Sequence, residues 1–280
     1  MDPVVWCQER LWVPHNPISA SLLFVDKDQQ GPILALRAVH SELAQITELA
    51  REPGLAQAKL NWWREALLQE HTHPALEALE AVNVRDQVSL AGMMALCDAV
   101  EASLDAPRYE TIGHAWDAYR GLGGLALELE VGMLSGESLA SDVVADLHDL
   151  GAAGYWLRQV RDLSADARQG RWFVPLEVQA QYQISRQQVI DGAVGPNWGG
   201  FIEGLVGVAS ERLIDAKARL AERATPAMAH ALIMAALDER LAKQLTRAPS
   251  RVLTERVLPG HFGNVWAAWR QARRYRALVR

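Results

Sequence analysis

Apolar residues recur three and four positions apart along most of this chain, the spacing that lines up one face of an α-helix. We predict a long helix from Gln29 to Ala50, with Pro32 in its first turn, where the missing N–H costs nothing. Its apolar stripe consists of Ile33, Leu36, Val39, Leu43, Ile46 and Leu49. With Pro and Gly taken as breaks, further helices are predicted over residues 53–69, 85–104, 109–134, 141–168, 197–223, 226–245 and 262–279.

Strand patterns are almost missing from the sequence. Alternating apolar and polar runs bounded by turn residues cannot be traced over the length that a strand needs. Firm loops are predicted only at residues 71–74, 172–175, 194–198 and 249–263, and no Ser/Gly-rich linker divides the chain. We therefore predict a single all-α domain over residues 1–280, a bundle whose long helices enclose their apolar stripes.

Composition narrows the class of protein further. Half of the 280 residues are apolar and 22% are charged, which is enough to fill a large core and argues against disorder. The formal charge of −6 argues against a nucleic-acid-binding protein, and Cys7 and Cys97 fit neither a disulfide framework nor a zinc spacing. No signal peptide or membrane-spanning stretch is visible, so we expect a cytoplasmic location.

Candidate chemistry lies in the predicted helix over residues 141–168. Asp162 and Asp166 are four residues apart, so a helix places both carboxylates on one face, about one turn apart. Such oxygen ligands suit Mg²⁺, which completes its coordination with water and phosphate oxygens. Arg158, Arg161 and Arg171 add the planar donors that a diphosphate needs. The same spacing also fits an ordinary exposed helix face stabilised by pairs such as Arg158–Asp162.

Three blocks of sequence resemble the squalene/phytoene synthase family, the head-to-head branch of the trans-isoprenyl diphosphate synthases. The first block runs from Ala35-Leu36 to Glu48, and the second is Lys59-Leu60-Asn61-Trp62-Trp63-Arg64-Glu65. The third and most specific is similar to the family's Leu-Arg-Asp-x-x-x-Asp-x-x-x-Gly-Arg-x-Tyr-Leu-Pro; it reads Arg161-Asp162-x-x-x-Asp166-x-x-x-Gly170-Arg171-Trp172-Phe173-Val174-Pro175. The likeness extends more loosely through the C-terminal third.

The resemblance implies an isoprenoid synthase-like fold, in which long helices surround a central cavity. In active members, two aspartate-rich helices face each other across this cavity and hold Mg²⁺ ions on prenyl diphosphates. The ions neutralise the departing diphosphate, an allylic carbocation forms, and a second prenyl chain attacks it. On this basis Asp162 and Asp166 are the expected catalytic metal ligands, and the expected diphosphate-binding residues are Arg158, Arg161 and Arg171.

The first aspartate-rich motif of the family is degenerate in this sequence. Active members carry an Asp-Asp-x-x-Asp-type motif where this chain has Ala44, Gln45 and Glu48, so two of the anionic ligands are missing. Tyr155 and Arg158 stand where family members usually have Gln and Asn. Arg158 could bind phosphate directly, or it could neutralise the neighbouring acid.

These departures leave three functions open. The first is a Mg²⁺-dependent prenyltransferase that joins two farnesyl or geranylgeranyl diphosphates. The second is a non-catalytic protein that holds a lipid-like ligand or a protein partner, similar to inactive members such as a mitochondrial respiratory complex I assembly factor. The third is a bundle unrelated to isoprenoids, which predicts that Asp162 and Asp166 face bulk water.

Three further segments are each open to a structural or a functional interpretation. The Trp62-Trp63 pair fits core packing, with Arg64-Glu65 as a surface ion pair. The run from Gly121 to Gly124 fits either a close approach of two helices or a kink that admits a chain-like ligand. We interpret His71-Thr72-His73 as a solvated loop.

The predicted C-terminal helix is basic and carries Trp266 and Trp269. A basic amphipathic helix with tryptophans fits contact with an anionic membrane or with a partner. A solvated helix end is the simpler interpretation. The basic residues are Arg270, Arg273, Arg274, Arg276 and Arg280.

Overall fold

The computed structural model describes residues 1–13, 16–49, 52–69, 71–104 and 108–278. None of these residues lies in a β-strand, which confirms the predicted all-α class. The α-helices are α1 (Pro3–Leu11), α2 (Pro17–Ser21), α3 (Lys27–Ile46), α4 (Pro53–Leu67), α5 (Pro74–Ala81), α6 (Leu90–Leu104), α7 (Ile112–Tyr119), α8 (Leu125–Ser135), α9 (Ser141–Arg168), α10 (Leu176–Tyr182), α11 (Arg186–Asp191), α12 (Trp198–Glu222), α13 (Ala229–Arg247), α14 (Arg251–Thr254) and α15 (His261–Leu278).

The boundaries of α3 differ from the prediction. The helix begins at Lys27, so Pro32 lies inside it rather than in its first turn. Its α-helical part ends at Ile46, and a 3₁₀ turn continues over Thr47–Leu49. The predicted end at Ala50 lies outside the described residues, as do Val279 and Arg280 at the end of the chain.

Several short helices were not predicted. They are α1, α2, α5, α10, α11 and α14, the last of which lies inside a predicted loop. None is longer than nine residues, so each shows too few turns for an apolar stripe to be recognised. The predicted helix over residues 85–104 is also divided, because a 3₁₀ turn over Arg85–Gln87 precedes the start of α6.

The predicted helix over residues 109–134 is interrupted at its glycine run. A π-helical turn over Arg120–Gly124 joins α7 to α8 and lies against α9. A Cβ atom on Gly123 would lie 2.3 Å from the carbonyl oxygen of Gly151, and one on Gly151 would lie 2.2 Å from that of Gly123. The two backbones are therefore in direct contact, which confirms close helix approach as the role of these glycines.

Helix α9 lies at the centre of the bundle. It packs against α7, α8, α11, α12, α13, α14 and the π-helical turn. Trp156 is fully buried and donates its indole N–H to the carbonyl oxygen of Leu205 on α12, at 2.9 Å. Trp116, Tyr119 and Phe173 pack their rings around Trp156, with ring centroids 5.7–6.0 Å from it. These contacts fix the helix that carries the candidate chemistry.

Helix α4 is held by residues of the second sequence block. Trp63 is buried, as core packing predicts. Arg64 does not form a surface pair with the adjacent Glu65; it bonds Asp98 at 2.7 Å and Glu101 at 2.6 Å, both on α6. The block therefore joins two helices.

Residues 71–73 form the predicted loop, in which His71 and Thr72 are exposed and His73 is half-buried. The His71 ring stacks on that of Trp62, and its Nε2 atom lies 2.9 Å from Glu65. His73 accepts a hydrogen bond from the backbone N–H of Ala75 at the start of α5 and packs against Trp63. Aromatic contacts therefore hold both histidines against α4.

Candidate functional site

Polar side chains of α9 line up along one face of the helix. Tyr155, Arg158, Asp162 and Asp166 are three to four residues apart, so they project from successive turns in one direction. The other faces of α9 are buried against α12 and the π-helical turn. The polar face therefore has a fixed orientation.

Charged groups of α3 and α13 lie near this face of α9. Arg158 exposes 31% of its side chain, and partial burial lowers the pKa of its guanidinium. The charges that act on Arg158 belong to Asp238 on α13, Arg161 on α9 and Arg37 on α3. From these neighbours we infer a polar crevice between α9, α3 and α13, bounded by Arg37, His40, Arg158 and Asp238.

Asp162 is held by two arginines at one end of the crevice. Its Oδ1 atom accepts hydrogen bonds from Nε of Arg161 at 2.9 Å and of Arg256 at 2.7 Å. Its Oδ2 atom accepts from Nη2 of the same two side chains, at 2.5 and 3.0 Å. Burial opposes ionisation, but the bonds and charges of both arginines outweigh it and lower the pKa of Asp162. This carboxylate is therefore ionised at neutral pH.

Asp166 is paired with Arg171, which follows the end of α9. Gly170 has a φ of +93°, which turns the chain back so that the Arg171 guanidinium reaches the Asp166 carboxylate. The backbone N–H of Arg171 also donates to the carbonyl oxygen of Asp166, at 2.9 Å. Burial raises the pKa of Asp166, and Arg171 only partly offsets it, since Asp162 and Glu48 add negative charge nearby.

Both aspartates are turned inward. Asp162 exposes 20% of its side chain and Asp166 exposes 9%. The expectation of an unrelated bundle, with this pair facing bulk water, is therefore wrong. The ion pair between Arg158 and Asp162 that an exposed helix face predicts is replaced, because Arg158 bonds Asp238.

Asp238 is a charged residue of the crevice that the sequence analysis did not identify. Its Oδ1 atom lies 3.3 Å from Nη1 of Arg158, and a Cβ atom on Gly154 would lie 2.3 Å from its Oδ2 atom. Gly154 therefore leaves the room that this carboxylate occupies. A signal exists in the sequence, since Asp238 falls on the apolar stripe of α13 between Ala235 and Ala242.

A buried chain of hydrogen bonds holds Arg37 at the crevice. Nε of Arg37 donates to Glu130 Oε2 at 2.6 Å, and Glu130 Oε1 lies 2.7 Å from Nδ1 of His230. Ser21 Oγ continues the chain, 2.9 Å from Nε2 of His230. Burial opposes ionisation of Glu130, but Arg37 and His230 prevail and lower its pKa to about 2. The chain connects α2, α3, α8 and α13.

His40 contributes a neutral imidazole to the crevice. Burial, with the charges of Arg37 and Arg158, lowers the pKa of His40 to about 3. A backbone hydrogen bond to Leu122, in the π-helical turn, opposes this shift without cancelling it. The ring therefore adds no positive charge at neutral pH.

The three positions of the degenerate first motif do not share one site. Ala44 and Glu48 follow Arg37 and His40 at helical spacing on the crevice side of α3, and Glu48 acts electrostatically on Asp166. Gln45 is exposed, and its side chain lines a different pocket of about 280 Å³ between α3 and α4. The structure thus brings Glu48 to the acids of α9 and directs Gln45 away from them.

The carboxylates of α9 are enough to bind one divalent cation, but not the two groups of metal ions that the family resemblance implies. Asp162 and Asp166 supply two carboxylates on one face, the hard ligands that Mg²⁺ accepts together with phosphate oxygens and water. Arginines bond both carboxylates, so a cation would displace Arg161 or Arg256 from Asp162 and Arg171 from Asp166. Across the described part of the chain, no group of three or more His, Cys, Asp or Glu side chains is placed to hold a metal ion.

The sequence of the crevice helices can be compared with known families. Residues 17–261 match the family model described as squalene/phytoene synthase, which includes both walls of the crevice. The chain belongs to the squalene/phytoene synthase family. A search of curated protein sequences finds no match.

Solved structures of this family share the fold. A dehydrosqualene synthase in complex with ligand matches with a TM-score of 0.75 and 14% identity, over 98% of this chain and 96% of that one. Squalene synthase HpnC from Alicyclobacillus acidocaldarius matches with a TM-score of 0.66 and 18% identity, over 88% of this chain and 93% of that one. The predicted isoprenoid synthase fold is confirmed. No helix within the described ranges is long and apolar enough to cross a membrane.

Proposed function

We propose that this squalene/phytoene synthase-family protein is a prenyltransferase that binds prenyl diphosphates of the farnesyl or geranylgeranyl class in the crevice. The observation that carries the proposal is the meeting of arginines with two inward-facing carboxylates at one end of α9. The residues are Arg158, Arg161, Arg171, Arg256, Asp162 and Asp166. Charged groups converge at this site from α9, from the turn after it and from the segment after α14.

The arginines are the diphosphate-binding residues of the proposal. Arg171 and Arg256 now bond carboxylates through planar guanidinium groups, which bind phosphate oxygens in the same geometry. Arg256 exposes 60% of its side chain, so it is free to turn from Asp162 to an incoming diphosphate. Arg158 and Arg37 extend the positive charge further into the crevice.

Mg²⁺ is the proposed cofactor, held by Asp162 and Asp166 once their arginines bind the diphosphate. When bound, the ion neutralises charge on the leaving diphosphate. A second cluster on α3 does not fit, because Ala44 offers no ligand and Gln45 points into another pocket. Arg158, which stands on the crevice face of α9, supplies part of the missing positive charge.

Tyr155 lies on the crevice face of α9 and is the first of three aromatic rings in contact with one another. The Tyr155 and Tyr119 rings lie 5.0 Å apart, and Phe173 packs on Tyr119 at 6.3 Å. Burial raises the pKa of Tyr155 to about 12, so its phenol stays neutral and is a poor nucleophile. Such neutral faces stabilise an allylic cation and keep water from it.

A second candidate function is the non-catalytic one, and the ion pairs favour it. Asp162, Asp166 and Asp238 are each neutralised by an arginine, and the opposite wall contributes one carboxylate, Glu48 of the 3₁₀ turn after α3. A protein of this kind would hold a lipid-like ligand in the crevice, or bind a protein partner, without releasing diphosphate.

The test is diphosphate release by the purified protein with farnesyl or geranylgeranyl diphosphate and Mg²⁺, alongside binding of a non-hydrolysable analogue. The proposal expects both release and binding. Binding without release, in protein shown to be folded, would support the non-catalytic candidate. Neither release nor binding would overturn the prenyltransferase proposal.

A further inference from the structure

The outward face of α15 carries large aromatic side chains. Phe262, Trp266 and Trp269 expose 91%, 56% and 39% of their surface. They are four and three residues apart, so they share one face of the helix. Leu258, 37% exposed in the preceding segment, lies four residues before Phe262. We call Phe262, Trp266 and Trp269 the aromatic face.

The inward face of α15 is less apolar than the outward one. The side chains that α15 buries against its neighbours, chiefly α13 and α2, are Asn264, Ala268, Gln271, Ala272 and Tyr275. An amphipathic helix normally buries its largest apolar side chains, so this helix is oriented the opposite way. Several large apolar side chains exposed together on one helix face indicate an interaction site.

Basic charge surrounds the aromatic face. The guanidinium of Arg270 lies 4.6 Å from the ring centre of Trp266, and that of Arg273 lies 5.1 Å from that of Trp269. From Arg256 to the end of the chain the sequence contains six arginines and no acidic residue, although the whole chain has a formal charge of −6. The C-terminal segment is therefore strongly positive on an acidic protein.

We propose that the aromatic face docks this protein onto an anionic lipid bilayer, with its tryptophans at the level of the head groups and Arg270 and Arg273 on the lipid phosphates. Tryptophan and arginine are the residues that favour a membrane interface. A second copy of the chain is a poor occupant, because two copies meeting at this face would bring like charges together. A bilayer offers both the diffuse negative charge and the apolar interior that this face matches.

Docking would bring one end of the crevice close to the bilayer, and this consequence rests on the proposed function. Arg256, which holds Asp162, is six residues before Phe262, so the two lie within about 20 Å of each other. A prenyl diphosphate is an amphiphile whose chain resides in the bilayer and whose diphosphate lies at its surface. The docked protein would therefore meet this ligand at its source.

The experiment is co-sedimentation of the full chain with vesicles of phosphatidylcholine alone or mixed with phosphatidylglycerol. Binding is expected only with the anionic lipid, and it should weaken as salt rises. Trp266→Ala/Trp269→Ala should weaken binding at least tenfold, because each ring loses apolar burial. Arg270→Gln/Arg273→Gln should weaken it about 30-fold, at about 1 kcal/mol for each charge.

Matched controls come from exposed residues elsewhere. Ile214→Ala removes a side chain on α12 that is 55% exposed, and Lys59→Gln/Arg108→Gln removes two exposed charges. Equal losses in test and control variants, or full binding by the test variants, would overturn the proposal. So would a change of oligomeric state in the test variants without a change in vesicle binding, since a second copy would then cover the face.

The outcome is separable from the proposed function. Diphosphate release measured without vesicles should be the same in wild type and in Trp266→Ala/Trp269→Ala, because neither residue lies in the crevice. Vesicle binding without diphosphate release would support the docking surface and contradict the proposed prenyltransferase activity. Release without vesicle binding would overturn the docking surface alone.

Discussion

Helices α9 and α3 face each other across the crevice, and they differ in charge. α9 carries Asp162 and Asp166, each bonded to arginine, whereas the crevice side of α3 carries Arg37, a neutral His40, and Ala44. One wall carries the two carboxylates that we propose as Mg²⁺ ligands, and the other carries no carboxylate at these positions. The difference shows that two facing helices can carry opposite charge, because the side chains of each wall belong to a separate helix.

The largest expected effect comes from removing a carboxylate of α9. Asp166→Asn should lower kcat/KM for diphosphate release about 1,000-fold, because it removes one of two proposed Mg²⁺ ligands. Asp117→Asn, on the exposed surface of α7, is the matched control and should leave the rate unchanged. Steady-state kinetics measures both variants. Full activity in Asp166→Asn would contradict the proposed role of this carboxylate as a Mg²⁺ ligand.

The packing that fixes α9 can be tested at its contact with the π-helical turn. Gly123→Ala should destabilise the protein by about 4 kcal/mol, because the new Cβ would meet the Gly151 carbonyl at 2.3 Å and the backbones must separate. Gly132→Ala, on α8 with no atom within 4 Å of its Cβ, should be neutral or slightly stabilising. Urea unfolding measures both, and equal stabilities would contradict the close contact.

The ion pair between Arg158 and Asp238 should contribute more to the free energy of unfolding than an exposed ion pair does. Arg158→Gln leaves the Asp238 carboxylate buried without its partner, so it should cost about 3 kcal/mol of unfolding free energy. Asp238→Asn in the Arg158→Gln background should restore part of that loss. A double-mutant cycle measures the coupling, and additive losses would show that the two side chains do not interact.

His40 should make stability depend on pH. The unfolded chain takes up a proton at this residue below about pH 6.5, whereas the folded protein does so only near pH 3. Stability from this residue is therefore present above pH 6.5 and lost as the pH falls toward 3, by about 2 kcal/mol or more. His40→Gln should flatten the unfolding free energy across that window. An unchanged profile would place the histidine in water.

The smallest expected effect comes from adding a carboxylate to the crevice side of α3, the wall that lacks aspartates. Ala44→Asp should tighten Mg²⁺ binding about tenfold in the presence of a diphosphate analogue, because the new side chain faces the crevice. Gln45→Asp, one residue further along, should have no such effect, since that position lines the pocket beside Trp62. Calorimetric titration measures both. Equal effects would mean that the two positions share one site.

Sequence reasoning recovered the long helices and the α9 motif because both rest on periodic spacing. It named Asp162, Asp166 and three arginines, which the structure brings to one site. It missed Arg256 and Asp238, because tertiary contacts over more than 75 residues place them at the crevice, and local pattern carries no such information. It also grouped Gln45 with Ala44, although neighbouring helix positions point about 100° apart.

The charge asymmetry of the C-terminal segment was readable from sequence, but its orientation was not. Spacing alone allows Trp266 and Trp269 to be buried, as aromatic residues usually are. The structure turns them outward because α15 buries smaller side chains such as Ala268 and Ala272 instead. The side of α15 that faces the core therefore depends on the surfaces of α13 and α2 against which it packs.

The central claim is that arginines and carboxylates of the crevice bind a prenyl diphosphate together with Mg²⁺. The most direct measurement is the unfolding free energy with a non-hydrolysable prenyl diphosphate analogue at about 100 times its dissociation constant, which should rise by about 2.7 kcal/mol. The gain should need Mg²⁺ and should disappear in Arg171→Gln/Arg256→Gln, but not in the exposed control Arg247→Gln. An equal gain from the matching prenyl alcohol, which lacks the diphosphate, would contradict the central claim.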